Sequence, residues 1–374
     1  MSTSATRSAI AAVAAITAVW GMQAYAGSAA GNDAHRNQRR PQEEAIAAAP
    51  LPYREDLVAF DNSAAAGVRL AGTLTLPPGT GPFPGVVLIS GSGPNTRDEE
   101  LSGHKLALVL ADALTRNGCA VLRFDKRGVA KSTGDFDAAT TLDFASDAKA
   151  AVAYLRGRSD IIGAKVGLIG HSEGGTIAAM VGAQDPGLAF IVMMAGFSVP
   201  GKVLVAEQTR RVAIADGQSE AMAARTYALN RQVYDAIAAS KGQIDAEARV
   251  RKILAAAKPK PGKDEADLAI LFTKLPYMRF VLAFDPAPML GDVQVPVLAL
   301  YGSKDLVVPA DLNIPALREI LSHDKEVTIK EIPGLNHLFQ HARTGSPREF
   351  AEIQETLSPE VLAIISQWVA QHTS

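Results

Sequence analysis

The arrangement of apolar and polar residues changes several times along the chain. Residues 57–60 and 68–76 alternate between the two classes, a pattern typical of antiparallel strands with one face in water. Beyond a loop rich in Pro and Gly at 77–84, continuous apolar runs replace the alternation. Such runs are expected of parallel strands that are covered on both faces. The sequence therefore predicts a sheet with an antiparallel edge and a parallel interior.

Between residues 85 and 198, segments typical of strands alternate with segments typical of helices. Short apolar runs are followed by stretches in which apolar residues recur every three or four positions, the period of a helix with one buried face. This order indicates a mostly parallel sheet with helices on both faces. The predicted strands are 85–90, 120–124, 166–170 and 189–195, and the predicted helices are 106–114, 143–155 and 176–182.

The alternation stops at residues 199–284, which are rich in Ala, Arg, Lys, Glu and Gln. Residues 206–239 have the pattern of one or two amphipathic helices, and 265–275 repeat it. A crossover between parallel strands needs only about a dozen residues, so most of this stretch is predicted to be an inserted helical cap. The α/β core is predicted to comprise 53–198 and 285–374. Its later strands and helices are predicted at 295–301, 310–321, 326–331 and 358–371.

The first 26 residues have the features of an export signal. Arg7 precedes an alanine-rich apolar run at 9–20, and Ala24-Tyr-Ala26 supplies the small residues of a cleavage site. The run is too short and too rich in alanine for a convincing membrane span. We predict a signal peptide over 1–26 and, because the next residues are polar, a flexible leader over 27–52. The protein is therefore expected to be exported, periplasmic or secreted, without stable membrane insertion; an uncleaved anchor is the alternative.

Composition narrows the range of partners. The formal net charge of −2 gives no reason to expect nucleic acid as a partner. The one cysteine, Cys119, cannot form an intramolecular disulfide, and its apolar surroundings favour a small core residue over a reactive thiol. These features argue against a nucleic-acid-binding protein and against a disulfide-stabilised one.

The most informative stretch is 166–180, where an apolar run ends at Gly170 and small residues lead into a helix pattern. Gly170-His-Ser-Glu-Gly174 has the Gly-x-Ser-x-Gly spacing of a sharp strand-to-helix turn that carries the serine. Side chains at the flanking positions would collide with the strand and the helix, which explains the glycines. Ser172 is therefore the predicted nucleophile.

A serine hydroxyl attacks efficiently only when a base removes its proton and a third group orients that base. Asp305 follows the predicted strand 295–301, and His337 follows the predicted strand 326–331. Because the carboxyl ends of parallel strands share one edge of an open sheet, the loops that carry these residues and Ser172 can converge there. We predict a catalytic triad in the order Ser, Asp, His, with His337 as the base and Asp305 as its orienting acid.

Other aspartates and histidines fit these roles less well. Asp285 lies in a turn after the predicted cap, and Asp292 precedes its strand, at the wrong edge of the sheet. His341 follows His337 by four residues, but no glutamate follows His337 as it does in the zinc-binding His-Glu-x-x-His motif. His171 is predicted to line the pocket rather than to act as the base. No metal site is predicted.

An acyl-transfer transition state also needs hydrogen-bond donors for its oxyanion. One predicted donor is the backbone N–H of Glu173, at the start of the predicted helix. The other is the N–H of Ser92, in the glycine-containing loop 90–94. The charged residues at 95–99 either line the site or bind each other. Those at 124–128 are predicted to hold a tight turn by charge pairs.

Five motifs together resemble the α/β-hydrolase superfamily and, more narrowly, the EstD-type bacterial carboxylesterases grouped with serine-aminopeptidase-like hydrolases. This resemblance runs from residue 54 to the end of the chain and implies an α/β-hydrolase fold and the triad roles given above. Ser90 stands where many relatives have histidine, and Ala130 stands where glycine is common. The motifs are Ser90-Gly-Ser-Gly-Pro, Arg123-Phe-Asp-Lys-Arg-Gly, Gly170-His-Ser-Glu-Gly-Gly, Gly302-Ser-Lys-Asp-Leu and Gly334-Leu-Asn-His-Leu-Phe.

These residues predict a serine hydrolase that cleaves carboxylic esters through an acyl-enzyme and needs no metal or organic cofactor. The resemblance implies short or medium acyl chains, so a small-molecule ester is the expected partner. A peptidase or aminopeptidase-like amidase and a thioesterase would use the same triad and stay as alternatives. A non-catalytic binding protein on a hydrolase scaffold is a further alternative, although such proteins usually lack a triad residue.

Overall fold

The computed structural model describes residues 39–48, 50–323 and 326–374. The predicted signal peptide and the leader up to residue 38 lie outside them. The strands of this part of the chain are β1 (Arg54–Asp61), β2 (Arg69–Leu76), β3 (Phe83–Ile89), β4 (Glu100–Leu101), β5 (His104–Lys105), β6 (Ala120–Phe124), β7 (Ile161–His171), β8 (Ile191–Met194), β9 (Val297–Gly302) and β10 (Val327–Ile332). Eight of them form one sheet in the order β1-β2-β6-β3-β7-β8-β9-β10, and β4 pairs with β5.

Antiparallel pairing within the large sheet is confined to one edge. β1 pairs with β2 and β2 pairs with β6 in antiparallel register, whereas every other neighbouring pair is parallel. All residues of the interior strands β6, β8 and β9 are buried. Along β1, buried or half-buried residues alternate with exposed ones. The prediction of an antiparallel edge and a continuous apolar interior is confirmed, but the expected wet face is found in β1 and not in β2, which lies between β1 and β6 and is buried along most of its length.

Helices connect the parallel strands and pack against the sheet, with α2 against β6 and α3 and α4 against β7. The mostly parallel α/β architecture predicted from the sequence is confirmed. No helix in the described ranges is long and apolar enough to span a bilayer. The helices are α1 (Pro41–Ala48), α2 (Leu106–Arg116), α3 (Thr141–Arg156), α4 (Glu173–Gly182), α5 (Gly201–Ala215), α6 (Glu220–Ala238), α7 (Gln243–Ala256), α8 (Lys263–Lys274), α9 (Pro276–Ala283), α10 (Ala287–Leu290), α11 (Ala310–Ile320) and α12 (Pro359–Thr373), with a 3-10 helix at Pro347–Glu352.

The register of the parallel strands aligns their carboxyl ends at one edge of the sheet. Ile89 at the end of β3 is opposite Gly170 in β7, and Gly302 at the end of β9 is opposite Ile332 at the end of β10. Both strand pairs therefore deliver the loops that follow them to the same edge. This edge is where a doubly wound sheet binds its ligands.

Helices α5 to α9 occupy most of the stretch 199–284, for which the sequence predicts an inserted cap. They bury an apolar cluster of their own, apart from the main core under the sheet. The cap helices therefore pack mainly on one another. The buried members of this cluster are Val205, Ala206, Val233, Tyr234, Ile237, Val250, Ala269, Phe272, Met278, Val281 and Leu282.

The prediction of a flexible leader over 27–52 is wrong for residues 39–48, because α1 is held against the core. Arg40, which precedes the helix, is 6% exposed. Its guanidinium donates hydrogen bonds to the carbonyls of Ala351 and Ile353, at 2.9 and 3.0 Å. Gln42 donates to the carbonyl of Leu357 at 2.8 Å. Polar contacts, rather than a broad apolar face, hold this segment, so hydrophobic patterning gave no sign of the helix.

Candidate active site

Ser172 occupies the sharp turn between β7 and α4. Its backbone has φ 55° and ψ −120°, a strained conformation that holds the hydroxyl out from the turn. A side chain at Gly170 would place its Cβ 1.9 Å from the carbonyl oxygen of Gly174, and one at Gly174 would lie 2.0 Å from that of Ile89. Both glycines are therefore required by direct contact between strand, turn and helix.

His337 and Asp305 form a buried pair in the loops after β10 and β9. The imidazole Nδ1 lies 2.8 Å from Asp305 Oδ2, and the two residues are 5% and 3% exposed. The other carboxylate oxygen accepts hydrogen bonds from the backbone N–H groups of Val307 and Val308, both at 2.8 Å. The carboxylate is thus fixed by its own loop, and it holds the histidine with Nδ1 protonated and Nε2 free to accept a proton.

The described residues include no hydrogen bond between Ser172 Oγ and His337. The two residues are linked instead through His171, whose ring centroid lies 4.8 Å from that of His337. Hydrogen bonds between a nucleophile and its base are often long without substrate and tighten in the substrate complex. The arrangement therefore brings the three predicted triad residues to one edge of the sheet, with the acid–base pair already formed.

His171 is buried beneath the site, and both of its ring nitrogens are engaged. Nδ1 lies 2.9 Å from Glu99 Oε1, and Nε2 lies 2.9 Å from the carbonyl oxygen of His337. Burial lowers the pKa of His171, but the Glu99 carboxylate, the carbonyl oxygen of His337 and the Asp305 carboxylate together raise it, and the net pKa lies above the usual value. Although predicted to line the pocket, His171 is only 2% exposed. It instead joins the turn of Ser172 to the loop of His337.

The loop after β3 carries the predicted oxyanion donor Ser92. Asn95 holds this loop by donating to the carbonyls of Gly91 and Ser92, at 2.8 and 2.9 Å. The N–H of Gly91 is taken by Glu99 Oε1 at 2.6 Å. In the described part of the chain the N–H groups of Ser92 and Glu173 have no hydrogen-bond acceptor, and both residues line the cavity beside Ser172.

The charged residues of segment 95–99 bind neighbouring side chains. Arg97 pairs with Asp125 at 2.6 Å, and Asp98 pairs with Arg123. Glu99 likewise contacts His171, so the charged residues of 95–99 do not bind each other but bind residues outside the segment, an arrangement that neither of the two interpretations described.

The turn at 124–128 is held by charge pairs, as predicted. Arg127 bonds Asp147 at 2.7 Å. Lys126 Nζ lies 2.9 Å from Glu173 Oε2, and the two side chains are 4% and 2% exposed. The Glu173 side chain also accepts from Thr141 Oγ1 at 2.8 Å. A buried ion pair is therefore anchored directly after the predicted nucleophile.

A narrow cavity opens beside Ser172, between the sheet edge and the cap. Apolar side chains form most of its wall, and Ser92, Glu173 and Gln208 contribute polar atoms. Tyr277 of α9 reaches the same region, where its hydroxyl lies 2.8 Å from Ser92 Oγ. Burial raises the pKa of Tyr277 well above its usual value, so the hydroxyl stays protonated. The apolar wall consists of Phe197, Leu204, Val307 and Val308.

The profile of the family described as X-Pro dipeptidyl-peptidase (S15 family) matches residues 66–327 of the chain. The chain belongs to this family. This chain is 26% identical to Esterase EstD of Thermotoga maritima over 322 residues, which cover 86% of this chain and 70% of EstD.

Solved structures share the fold of this S15 family chain at low sequence identity. The DcsB complex with its substrate analogue is 16% identical, with a TM-score of 0.53, and the match covers 85% of this chain and all of that one. A Pyrococcus furiosus esterase is 15% identical, with a TM-score of 0.50 and coverage of 87% and 93%. Proline iminopeptidase of Mycobacterium smegmatis is 16% identical, with a TM-score of 0.50 and coverage of 85% and 99%. The predicted α/β-hydrolase fold is confirmed.

Three residues of the candidate site, Glu99, Tyr277 and Gln208, were not predicted from the sequence. Glu99 was one of several charges in its segment, and nothing in the sequence pairs it with His171. Tyr277 lies near the end of the predicted cap, and nothing in the sequence indicates that it reaches Ser92. Gln208 carried a usable signal, because it stands four residues from both Leu204 and Val212 on the buried face of α5. No group of three or more His, Cys, Asp or Glu side chains in the described ranges is arranged to hold a metal ion.

Proposed function

We propose that this chain is a carboxylesterase-type serine hydrolase that works through an acyl-enzyme. The observation that carries the proposal is the buried pair of Asp305 and His337, joined at 2.8 Å, at the sheet edge where Ser172 stands in its strained turn. A serine hydroxyl, a base and a group that orients the base are the parts of an activated nucleophile. The similarity to Esterase EstD supports the same enzyme class.

In the proposed reaction Ser172 Oγ attacks the ester carbonyl while His337 takes the hydroxyl proton on Nε2. Asp305 stabilises the imidazolium that forms. The N–H groups of Ser92 and Glu173 donate hydrogen bonds to the carbonyl oxygen and stabilise the negative charge that develops on it. His337 then returns the proton to the leaving alcohol, and a water molecule releases the acid from the acyl-enzyme by the same steps. None of these steps calls for a metal or an organic cofactor.

Short to medium acyl chains suit the cavity beside the nucleophile. Its wall is mostly apolar and is formed by side chains from both the core and the cap, among them Val307, Val308 and Leu204. An apolar wall favours an alkyl chain by removing it from water, and the small size of the cavity favours a short one. We therefore expect hydrolysis to be fastest for small acyl groups and to fall as the chain lengthens.

A peptidase is the second candidate, because the family match is to X-Pro dipeptidyl-peptidases. An enzyme that removes residues from a peptide N-terminus needs a partner for the substrate ammonium group, for which a carboxylate is suited. Among the described residues that line the cavity, Glu173 is the one carboxylate. Its oxygens are already bonded to Lys126 and Thr141. This arrangement favours an ester over a peptide.

The test is hydrolysis of p-nitrophenyl esters from acetate to palmitate, compared with aminoacyl and X-Pro p-nitroanilides. The wild type is expected to hydrolyse short esters faster than any anilide and to be labelled by a fluorophosphonate. Ser172→Ala is expected to lose both properties, whereas Ser322→Ala, a matched change in an exposed loop, keeps them. Anilides cleaved faster than esters would favour the peptidase, and a wild type that takes no label would favour the binding protein.

Export is proposed on the sequence of residues 1–26, which lie outside the described residues. The small residues Ala24 and Ala26 support cleavage before Gly27. Expression of the full chain in a bacterial host, followed by fractionation and N-terminal sequencing, tests the proposal. A periplasmic or secreted chain that begins near Gly27 is the expected result. A periplasmic chain that still begins at Met1 would contradict cleavage.

A further inference from the structure

One polar side chain in the wall of the cavity has an atom without a partner. Gln208 lies on the cap helix α5 between the buried residues Leu204 and Val212 and is 2% exposed. Its Oε1 is buried and accepts no hydrogen bond from the described residues. A buried amide oxygen without a donor destabilises a protein. Because Gln208 also lines the cavity, this unpartnered oxygen points to a bond that forms with a ligand.

The other polar side chains of the wall are already satisfied. Ser92 Oγ is bonded to Tyr277, and Glu173 is bonded to Lys126 and Thr141. Among the described side chains of the wall, Gln208 is therefore the one with a buried polar atom that has no hydrogen-bond partner. An apolar residue at this position would have matched its neighbours along α5, so the glutamine is a specific feature of the cavity.

The position of the cavity indicates which part of an ester enters it. The leaving alcohol must lie against His337, because this residue returns the proton to it. The lining of the cavity includes Ser172 and the two predicted oxyanion donors, Ser92 and Glu173, but His337 is not part of it. The cavity therefore receives the acyl side of the ester, the part that stays bonded to Ser172 in the acyl-enzyme.

We propose that Gln208 recognises a hydroxyl group on the acyl chain, so that the preferred substrates are esters of short hydroxylated carboxylic acids. This proposal rests on the proposed esterase function. A hydroxyl can donate to the carbonyl of the glutamine amide and accept from its NH2 group. An ammonium group in the same place would need a negative partner, and the carboxylate of Glu173 is occupied by Lys126.

Discrimination is expected because a plain alkyl chain would leave the Gln208 amide unpaired in the closed site. Sites built to bond a hydroxyl reject analogues that lack it far more strongly than apolar sites reject an added hydroxyl. Replacing Gln208 by an apolar residue of similar size removes this penalty for the alkyl chain and removes the bond to the hydroxyl. Both changes lower the preference for the hydroxylated ester.

The experiment compares kcat/KM for p-nitrophenyl butyrate with kcat/KM for the 2-hydroxybutyrate and 3-hydroxybutyrate esters, each as both enantiomers. The wild type is expected to prefer at least one hydroxylated ester by about 10-fold or more. In Gln208→Leu the ratio for that ester is expected to fall about 10- to 100-fold. The comparison between variants cancels the different intrinsic reactivities of the esters. Gln208→Met provides a second apolar variant if Gln208→Leu does not fold.

Gln218→Leu is the matched control, because Gln218 Oε1 is also buried without a partner but lies beyond the end of α5, away from the cavity. Its ratio is expected to equal that of the wild type. A ratio that stays constant in the folded Gln208 variants, or falls equally in Gln218→Leu, would overturn the proposal while the esterase function stands. Absence of Ser172-dependent hydrolysis of all the esters would instead overturn the proposed function, and this inference with it.

Discussion

The core and the cap are stabilised by different kinds of interaction. At the active-site edge of the core, ion pairs are buried: Lys126 and Glu173 have side chains 4% and 2% exposed. In the cap the ion pairs lie at the surface, as in Lys202 and Asp235, which are 36% and 48% exposed. Buried pairs resist displacement because separating them leaves a charge out of water, whereas surface pairs contribute little. The core therefore holds its site residues in fixed positions, whereas the packing of the cap can adjust.

The inner part of the cap is held by apolar packing. Tyr234 and Phe272 stack with ring centroids 6.0 Å apart, within a cluster that the main core does not share. Apolar packing is non-directional and tolerates changes that conserve volume. Hydrogen-bonded charges at the sheet edge allow one geometry only. The residues of the proposed triad therefore lie in the part of the molecule that is least tolerant of displacement.

The largest expected effect comes from Asp305→Asn in the core. The asparagine keeps the size of the side chain, but its amide NH2 faces His337 Nδ1 and favours the wrong tautomer of the imidazole. We expect kcat for a short ester to fall about 10⁴-fold. Steady-state kinetics with p-nitrophenyl butyrate measures the loss.

Asp311→Asn is the matched control, because this aspartate joins the core to the cap by a 2.9 Å pair with Arg211 at the surface. Its kcat is expected to stay within about threefold of the wild type, in line with the small contribution of exposed pairs. Equal losses in Asp305→Asn and Asp311→Asn would contradict the division between a rigid core and an adaptable cap.

The next largest effect is on stability, from removal of the buried lysine. Lys126→Met conserves the length of the side chain but leaves the carboxylate of Glu173 without its cation. We expect the free energy of unfolding to fall by about 3–5 kcal/mol. Lys202→Met makes the same change in the exposed pair of the cap, and we expect a loss of no more than about 1 kcal/mol. Urea unfolding at neutral pH measures both values, and similar losses would show that the two pairs do not differ as proposed.

The edges and interior of the sheet could be predicted because each leaves a distinct pattern in the sequence. Residues alternate in β1 because one face of this strand is in water. The runs in β6 and β8 are apolar because both faces of these strands are buried. The loops of Asp305 and His337 could be placed at one edge for the same reason, since strand direction decides where a strand ends. Local pattern and topology together were sufficient for these features.

The remaining contacts depend on how separate segments dock. Glu99 meets His171 because the loop after β3 folds back under the nucleophile turn, a path that no local pattern encodes. The cavity-facing side of α5 was equally hidden, because an amphipathic helix shows which face is buried but not what it is buried against. Helix α1 was not predicted because Arg40 holds it by hydrogen bonds to backbone carbonyls. Every residue has a backbone carbonyl, so the sequence does not show which ones Arg40 contacts.

Acid is expected to destabilise the core through His104, while the cap region 199–284 contains no histidine. His104 is fully buried, with Nδ1 3.0 Å from Thr356 Oγ1 and Nε2 2.8 Å from the carbonyl oxygen of Phe350. Burial lowers its pKa to about 4, below the value of about 6.5 in an unfolded chain. The unfolded state therefore binds a proton that the folded state does not, and stability is lost as pH falls from 6.5 toward 4.

Urea unfolding at pH 7 and pH 5 tests the effect of His104. The wild type is expected to lose about 2 kcal/mol more than His104→Gln between these values. Thr356→Val removes one hydrogen bond to the imidazole but keeps the titrating group. It is expected to be less stable at both pH values and to lose nearly as much as the wild type on acidification. Equal losses of unfolding free energy between pH 7 and pH 5 for the wild type and His104→Gln would contradict the prediction.

The smallest expected effect tests the contact between the adaptable cap and the fixed site. Tyr277→Phe removes the hydroxyl that lies 2.8 Å from Ser92 Oγ, and Ser92 carries the proposed oxyanion N–H. Because one neutral hydrogen bond contributes about 0.5–1.5 kcal/mol, we expect kcat to fall about 3- to 10-fold with KM nearly unchanged. Tyr227→Phe, the same change on α6 of the cap, is expected to have no effect on kcat.

A double-mutant cycle with Ser92→Ala distinguishes positioning of the oxyanion loop from a general loosening of the cap. Ser92→Ala keeps the backbone N–H and removes the same hydrogen bond as Tyr277→Phe, so the double variant is expected to be no slower than the slower single variant. Additive losses would mean that the two hydroxyls act separately and that the cap does not position the donor. A large rise in KM for Tyr277→Phe would show instead that this tyrosine binds substrate. With the expected result, an adaptable cap would influence the chemistry through the hydrogen bond between Tyr277 and Ser92.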